Sequence, residues 1–195
     1  MSDLIAAKQE LRKRMRRARL EHAQALPPQV SALVFKRPPA PVLEWIADDA
    51  VIALYRAGPG EAPTSGFARF FLERGHTIAL PRVTDEFSPM TFHAHIDPWE
   101  ESDLAEGSFG IRQPDETAEE VTPDVLFVPL LAFTPEGQRL GQGGGFYDRY
   151  CAAHPGVPAI GLAWDMQVVD SLPTEDHDMP LTAIVTPTRI YGTFA

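Results

Sequence analysis

Leu4, Leu11, Met15 and Ala18 recur at spacings of seven, four and three within a stretch, 3–24, that holds no proline or glycine. Such a rhythm is the apolar face of a helix. Lys8, Arg12, Arg16 and Arg19 run along a neighbouring stripe, so the predicted helix packs through one face and presents cations beside it. Ser2 can cap its start, and Pro27-Pro28 ends it. A second proline cluster, Arg37-Pro38-Pro39-Ala40-Pro41, leads to a short helix expected over 42–47. Beyond it, apolar runs predict strands at 51–55, 77–80, 90–96, 125–129, 159–163 and 183–185, with a helix over 66–74 closed by Gly75. Alternating strand and helix imply an α/β fold: a three-layer sandwich, Rossmann-like, with a central, mainly parallel sheet.

At 195 residues and 44% hydrophobic content the chain can bury a core without staples, so one domain over 1–195 is expected, with 1–26 as a docked helical arm. A lone Cys151 excludes an internal disulfide and leaves no paired-cysteine motif for structural zinc. No run approaches the roughly 20 apolar residues of a membrane span, and charges crowd the start where a signal peptide needs an apolar core. A cytoplasmic protein is the expectation. The net charge of −10 disfavours nonspecific nucleic-acid binding, so any anion site must be local. Lys8, Arg12, Lys13, Arg14, Arg16, Arg17 and Arg19 concentrate positive charge in the first twenty residues, while the acidic segment 114–123 is expected to be a solvated loop.

The densest chemistry lies in VLFVPLLAFTPEGQRLGQGGGFYDRY, residues 125–150. A buried strand leads through a turn at Pro135-Glu136-Gly137 into Gly141-Gln142-Gly143-Gly144-Gly145 and then a helix. Without β-carbons, successive N–H groups can face one concavity, and the helix start adds its own donors. That is an anion cradle suited to a triphosphate. It lacks the Gly-Lys-Ser/Thr of a Walker loop, and Phe146 stands where a dinucleotide fold needs its third glycine. Read from the residues alone, the loop can equally be a β-to-α connection with glycines chosen for tight packing, and Asp148 an acid that complements the helix macrodipole.

Phe133, Gly137, Arg139-Leu140-Gly141, Gly143, Gly145 and Tyr147-Asp148-Arg149 together resemble the signature of the 5-formyltetrahydrofolate cyclo-ligase family, also called methenyltetrahydrofolate synthetases. Four further segments agree in order: Lys8 to Arg12, Gly60 to Thr64, Gly107 to Pro114, and Gly161 through His177-Asp178. The resemblance implies ATP and magnesium as cofactors and 5-formyltetrahydrofolate, with or without a polyglutamate tail, as substrate of a monomeric ligase. By the same resemblance Lys8 and Arg12 reach ATP phosphates, and Arg139 sits near the transferred phosphoryl group. Arg139, Leu140, Gly141, Gln142, Gly143, Gly144, Gly145, Phe146 and Tyr147 line the ATP site. Asp148 and Asp178 ligate magnesium. Glu61 holds the pterin, with Tyr55, Arg56, Phe109 and the loop from Gln142 through Gly143, Gly144 and Gly145 to Phe146 contacting folate. Gly144, Phe146 and Phe109 stand where family members often carry lysine, tyrosine and tryptophan.

Arg16, Arg17 and Arg19 are left as a solvated basic face. His93 and His95 share one face of a strand without a third ligand of suitable spacing, and Cys151 is expected as a buried small hydrophobe. Two other classes compete with the enzyme: a non-catalytic cyclo-ligase-like module binding folate or RNA, and an unrelated small kinase using the same cradle. The acidic balance weighs against RNA.

Overall fold

The computed structural model describes residues 2–31, 33–175 and 177–192, without the side chains of Ser2, Pro28, Ser31 and Phe109. In chain order the elements are α1 (Ser2–Ala25), α2 (Pro28–Ser31), α3 (Ala40–Leu43), β1 (Val51–Ala53), α4 (Ser65–Leu72), β2 (Thr77–Arg82), β3 (Thr91–Ala94), β4 (Leu104–Glu106) and β5 (Arg112–Pro114). There follow β6 (Val125–Pro129), β7 (Ala132–Phe133), β8 (Arg139–Leu140), α5 (Phe146–Ala153), β9 (Ala159–Leu162), β10 (Ala183–Val185) and β11 (Ile190–Gly192).

Seven strands form one sheet in the order β11-β10-β9-β6-β1-β2-β3. Its five inner strands run parallel, as the β/α alternation predicts, and each edge adds one antiparallel strand. The connection from β2 to β3 is too short for a crossover, so β3 can only fold back against β2. Four short strands carry no apolar run long enough to signal them, and they form the hairpins β4-β5 and β7-β8. The short helix lies at 40–43 and not at 42–47, because Pro39 and Pro41 favour a helix start. The acidic segment does expose Glu116, Glu119 and Glu120. Its backbone nevertheless lines the free edge of β3: Ala94 donates to Glu119 and Val121 to Phe92. Charged side chains on such a covering strand discourage further pairing.

Side chains alternate across β6 and divide the core. Val125 and Phe127 enter one apolar cluster with Phe67 and Phe71 of α4, while Leu126 and Val128 enter the other with Tyr150 and Cys151 of α5. Phe127 is fully buried, with ring centroids 5.4 Å from Phe67 and 6.0 Å from Phe71. A third, small cluster joins Met15 and Leu11 of α1 to Leu131, Ala132 and Leu140. It lies just past the carboxyl end of β6, so α1 packs where the parallel strands end. No helix among the described residues is long and apolar enough to cross a membrane.

Phe127→Ala removes the ring that both α4 phenylalanines pack on, and is expected to cost about 3–5 kcal/mol of unfolding free energy. Urea denaturation measures it; a loss below about 1 kcal/mol would show that this core relaxes around the cavity.

Candidate functional site

Two cations of the basic stripe on α1, Lys8 and Arg19, join its apolar face on the inward side, while Arg16 is exposed. Lys8 and Arg19 are as buried as Met15, at 4%, 3% and 6% exposure. Arg19 therefore does not belong to a solvated face. Its spacing from Lys8 and Met15, eleven and four residues, puts all three on one side of the helix, a signal the basic composition hid. Arg17 is exposed and pairs along the helix with Glu21.

Each inward cation meets an acid or a carbonyl. Lys8 Nζ lies 2.8 Å from Glu175 Oε2 and 2.6 Å from Asp178 Oδ2. Burial by itself would lower the Lys8 pKa, but its bonds to Asp178 and Glu175 outweigh that and hold it above the ordinary lysine value. The same bond holds the Glu175 carboxyl below its usual range, and that of Asp178 too, where it overcomes the opposing effect of burial. Arg12 Nε donates to the Gly141 carbonyl at 3.0 Å, joining α1 to the glycine loop.

That loop is delivered by the β7-β8 hairpin, not by a plain strand-to-helix connection. The turn is closed by Thr134 N–H to Gln138 O at 2.9 Å, and Leu131 N–H to Leu140 O at 2.7 Å anchors its base. Arg139 thereby enters the interior, its side chain 4% exposed, with Nη2 2.7 Å from Asp148 Oδ1 and Nη1 3.0 Å from Met179 O. Gly143 and Gly145 adopt φ of +109° and +66°, the left-handed region in which a side chain would strain the turn. Among the described residues, the N–H groups from Gly141 to Gly145 bond no backbone carbonyl, leaving a run of donors ahead of α5. Arg149 closes the loop from behind, donating to Gly144 O at 2.9 Å with its guanidinium over the Phe146 ring. Leu140 is buried against α1.

Gln142 connects the loop to Glu61. Gln142 Nε2 donates to Glu61 Oε1 at 3.2 Å, while Arg16 Nη2 donates to Gln142 Oε1 at 2.9 Å. Arg19 Nη1 reaches the same Glu61 oxygen at 3.2 Å and the Leu130 carbonyl at 3.2 Å. The other oxygen, Glu61 Oε2, accepts the Gly58 amide at 2.9 Å. Trp164 Nε1 secures this turn through Gly60 O at 2.9 Å. Burial, and then the Glu61 carboxylate, push the Tyr147 phenol up, so it stays protonated.

Other candidates disperse. Tyr55 is buried with its hydroxyl on Ala62 O at 2.7 Å, bracing the turn, while exposed Arg56 pairs with Glu101 at 2.9 Å. Both line a cleft of about 170 Å³ with Thr64, His95 and Glu101. The side chain of Phe109 lies outside the described residues. His93 bonds Thr91 and Ala118, and His95 bonds Asp103, so each imidazole has separate partners. Cys151 is buried, and burial raises its thiol pKa, the condition of an unreactive thiol.

For a hard divalent cation the donor chemistry fits. Glu175, His177 and Asp178 offer ligand atoms within 4.8 Å of one another. Asp148 lies outside that group, yet its Oδ1 accepts the amide of Met179, the residue after Asp178, at 3.3 Å. Lys8 already pairs with two of those three residues, Glu175 and Asp178.

A family model described as the 5-formyltetrahydrofolate cyclo-ligase family matches residues 4–187. The 5-formyltetrahydrofolate cyclo-ligase of Escherichia coli (strain K12) is 32% identical over 187 residues, 93% of this chain and 98% of that one. Its counterpart from Haemophilus influenzae is 34% identical over 142 residues, 69% of this chain and 74% of the other. The NMR structure of Aquifex aeolicus 5,10-methenyltetrahydrofolate synthetase superposes with a TM-score of 0.72 at 28% identity, covering 95% of this chain and 92% of that one. Matching sequence and fold over nearly the whole chain, it belongs to the 5-formyltetrahydrofolate cyclo-ligase family.

Proposed function

We propose that this chain converts 5-formyltetrahydrofolate to 5,10-methenyltetrahydrofolate with ATP and magnesium. The observation that carries the reading is adjacency. Gly141, held by Arg12, and Gln142, held to Glu61, are neighbours in one loop. A phosphate cradle that itself bonds the pterin carboxylate through Gln142 brings donor and acceptor together, as phosphoryl transfer requires.

The chemistry explains why ATP is needed. The N5-formyl group is an amide, whose carbon is a poor electrophile and whose oxygen does not leave. Transfer of the γ-phosphoryl group to that oxygen releases ADP and makes the oxygen part of a leaving phosphate. The N10 lone pair then bonds to the formyl carbon, N10 gives up its proton, and the C–O bond breaks to release phosphate and close the ring. No protein nucleophile takes part.

The residues bind, orient and compensate charge. Amides from Gly141 to Gly145 cradle phosphate oxygens, and Arg12 and Arg139 supply positive charge beside them. Leu140 and Tyr147 complete the nucleotide side. Glu61 accepts a hydrogen bond from the pterin's amino or N–H group; of the about four lone-pair sites on its carboxylate, Arg19, Gln142 and Gly58 use three, leaving one on Oε2. Phe146, Tyr55 and Arg56 extend the folate side. Asp148 and Asp178 would hold magnesium, which when bound neutralises charge on the phosphates. With Asp178 holding a metal, Lys8 would be free to supply its charge to phosphate, so one ammonium would serve both arrangements.

Formation of methenyltetrahydrofolate, followed by its absorbance, should require both ATP and magnesium; folate binding without any product would instead identify a non-catalytic module. Asp148→Asn should lower turnover on the order of 100-fold with an unchanged circular dichroism spectrum, the loss expected when charge stabilisation is removed at phosphoryl transfer. Full activity of that variant at limiting magnesium would take Asp148 out of the metal site.

The Lys8 cluster predicts a pH dependence. Folded Glu175 and Asp178 have lowered pKa values, so their pairing stabilises above the unfolded carboxylate range of about 4 and is lost as pH falls through the folded values. Lys8, with a raised pKa, contributes fully below about 10.4. Wild type should therefore be more stable than Lys8→Met to urea at pH 7, with the difference shrinking below about pH 4. A constant difference across that range would mean that the ammonium does not act through these carboxylates.

A further inference from the structure

We infer that Arg19 is a positioning residue for folate, fixing Glu61 to the sheet; the inference rests on Glu61 as the pterin-binding carboxylate. Three donors reach that carboxylate. Gly58 is in the same turn and Gln142 is in the exposed glycine loop, so neither brings the Glu61 carboxylate to the end of a sheet strand. Arg19 does. Its Nη1 bridges Glu61 Oε1 and the carbonyl of Leu130, the residue after β6, each at 3.2 Å. The guanidinium itself is carried on α1 beside Met15, whose side chain packs on Leu131 and Leu140.

Burial makes this arrangement costly to keep without a purpose in positioning. The Arg19 side chain is 4% exposed and that of Glu61 is 12% exposed. Among the described residues Arg19 Nε is buried without a hydrogen-bond partner, a position that an apolar residue would fill without that penalty. A guanidinium satisfied there through one nitrogen contributes compensation of the Glu61 charge and a fixed direction for its oxygens. Glu61 Oε1 is held from the α1 side by Arg19 and from the loop side by Gln142, so its orientation is settled before a ligand arrives.

Such a residue acts on one ligand and not the other. Isothermal titration of Arg19→Gln, Arg19→Lys, Glu61→Gln and the Arg19→Gln/Glu61→Gln double variant, with 5-formyltetrahydrofolate and separately with ATP, tests it. Arg19→Gln should raise the folate Kd about tenfold or more and leave the ATP Kd within about twofold, with KM for folate rising more than kcat falls. Arg19→Lys, keeping the charge but not the fork, should recover part of the loss, and the double variant should bind folate no worse than the weaker single variant. Equal weakening of both ligands, or additive losses in the double variant, would reduce Arg19 to a structural residue. Should Arg19→Gln not fold, the same contrast is read from Arg19→Lys. Unchanged folate binding by Glu61→Gln would overturn the role of Glu61 itself, whereas weakened binding by Glu61→Gln with none by Arg19→Gln would overturn the inference alone.

Discussion

Burying the cations of α1 is the constraint on which the site depends. A charged side chain removed from water must find an opposite charge or a hydrogen-bond acceptor, because desolvation otherwise exceeds what packing returns. The apolar contribution of α1 is small, centred on Met15 and Leu11. The helix is therefore seated by Lys8 on Glu175 and Asp178, by Arg12 on Gly141, and by Arg19 on Glu61 and Leu130. Four separated stretches of chain are brought to one helix face by this requirement.

Those same acceptors form the candidate site. Strands β6 and β1 end at Pro129 and Ala53, and the segments beyond them carry Leu130 and the turn to Glu61. Carboxyl ends of parallel strands collect loops from several crossovers, which is why ligand sites form there. Here α1 is laid across that opening by polar contacts. That seating rests on ion pairs and hydrogen bonds more than on apolar packing. The hairpin β7-β8 adds rigidity where loops alone would drift, burying Arg139 and presenting the glycines beyond it.

Much of the fold could be read along the chain. The strand runs at 51–55, 77–80, 125–129, 159–163 and 183–185 each hold a strand of the sheet, because buried parallel strands need unbroken apolar stretches. Shorter pieces carry no such signal. Ala132–Phe133 and Arg139–Leu140 are two residues each, too brief for any periodicity, and Ile190–Gly192 is no more distinctive. The glycine loop and Lys8 stand out in composition and in the family resemblance, whereas Arg19 reads as a solvated cation because basic residues on helices usually are solvated.

The amino-acid sequence alone determined the amino-terminal helix, the order of strands and helices along the chain, the glycine-rich loop and the family. These depend on local periodicity and on residue types at short spacing, which the chain carries in linear form. Only the tertiary structure decided that Arg19 lies inward on Glu61, that Lys8 bridges Glu175 and Asp178, and that Gln142 meets a carboxylate 81 positions away. A side chain's electrostatic partner is set by what the folded sheet brings opposite it, and no spacing along the chain encodes that distance.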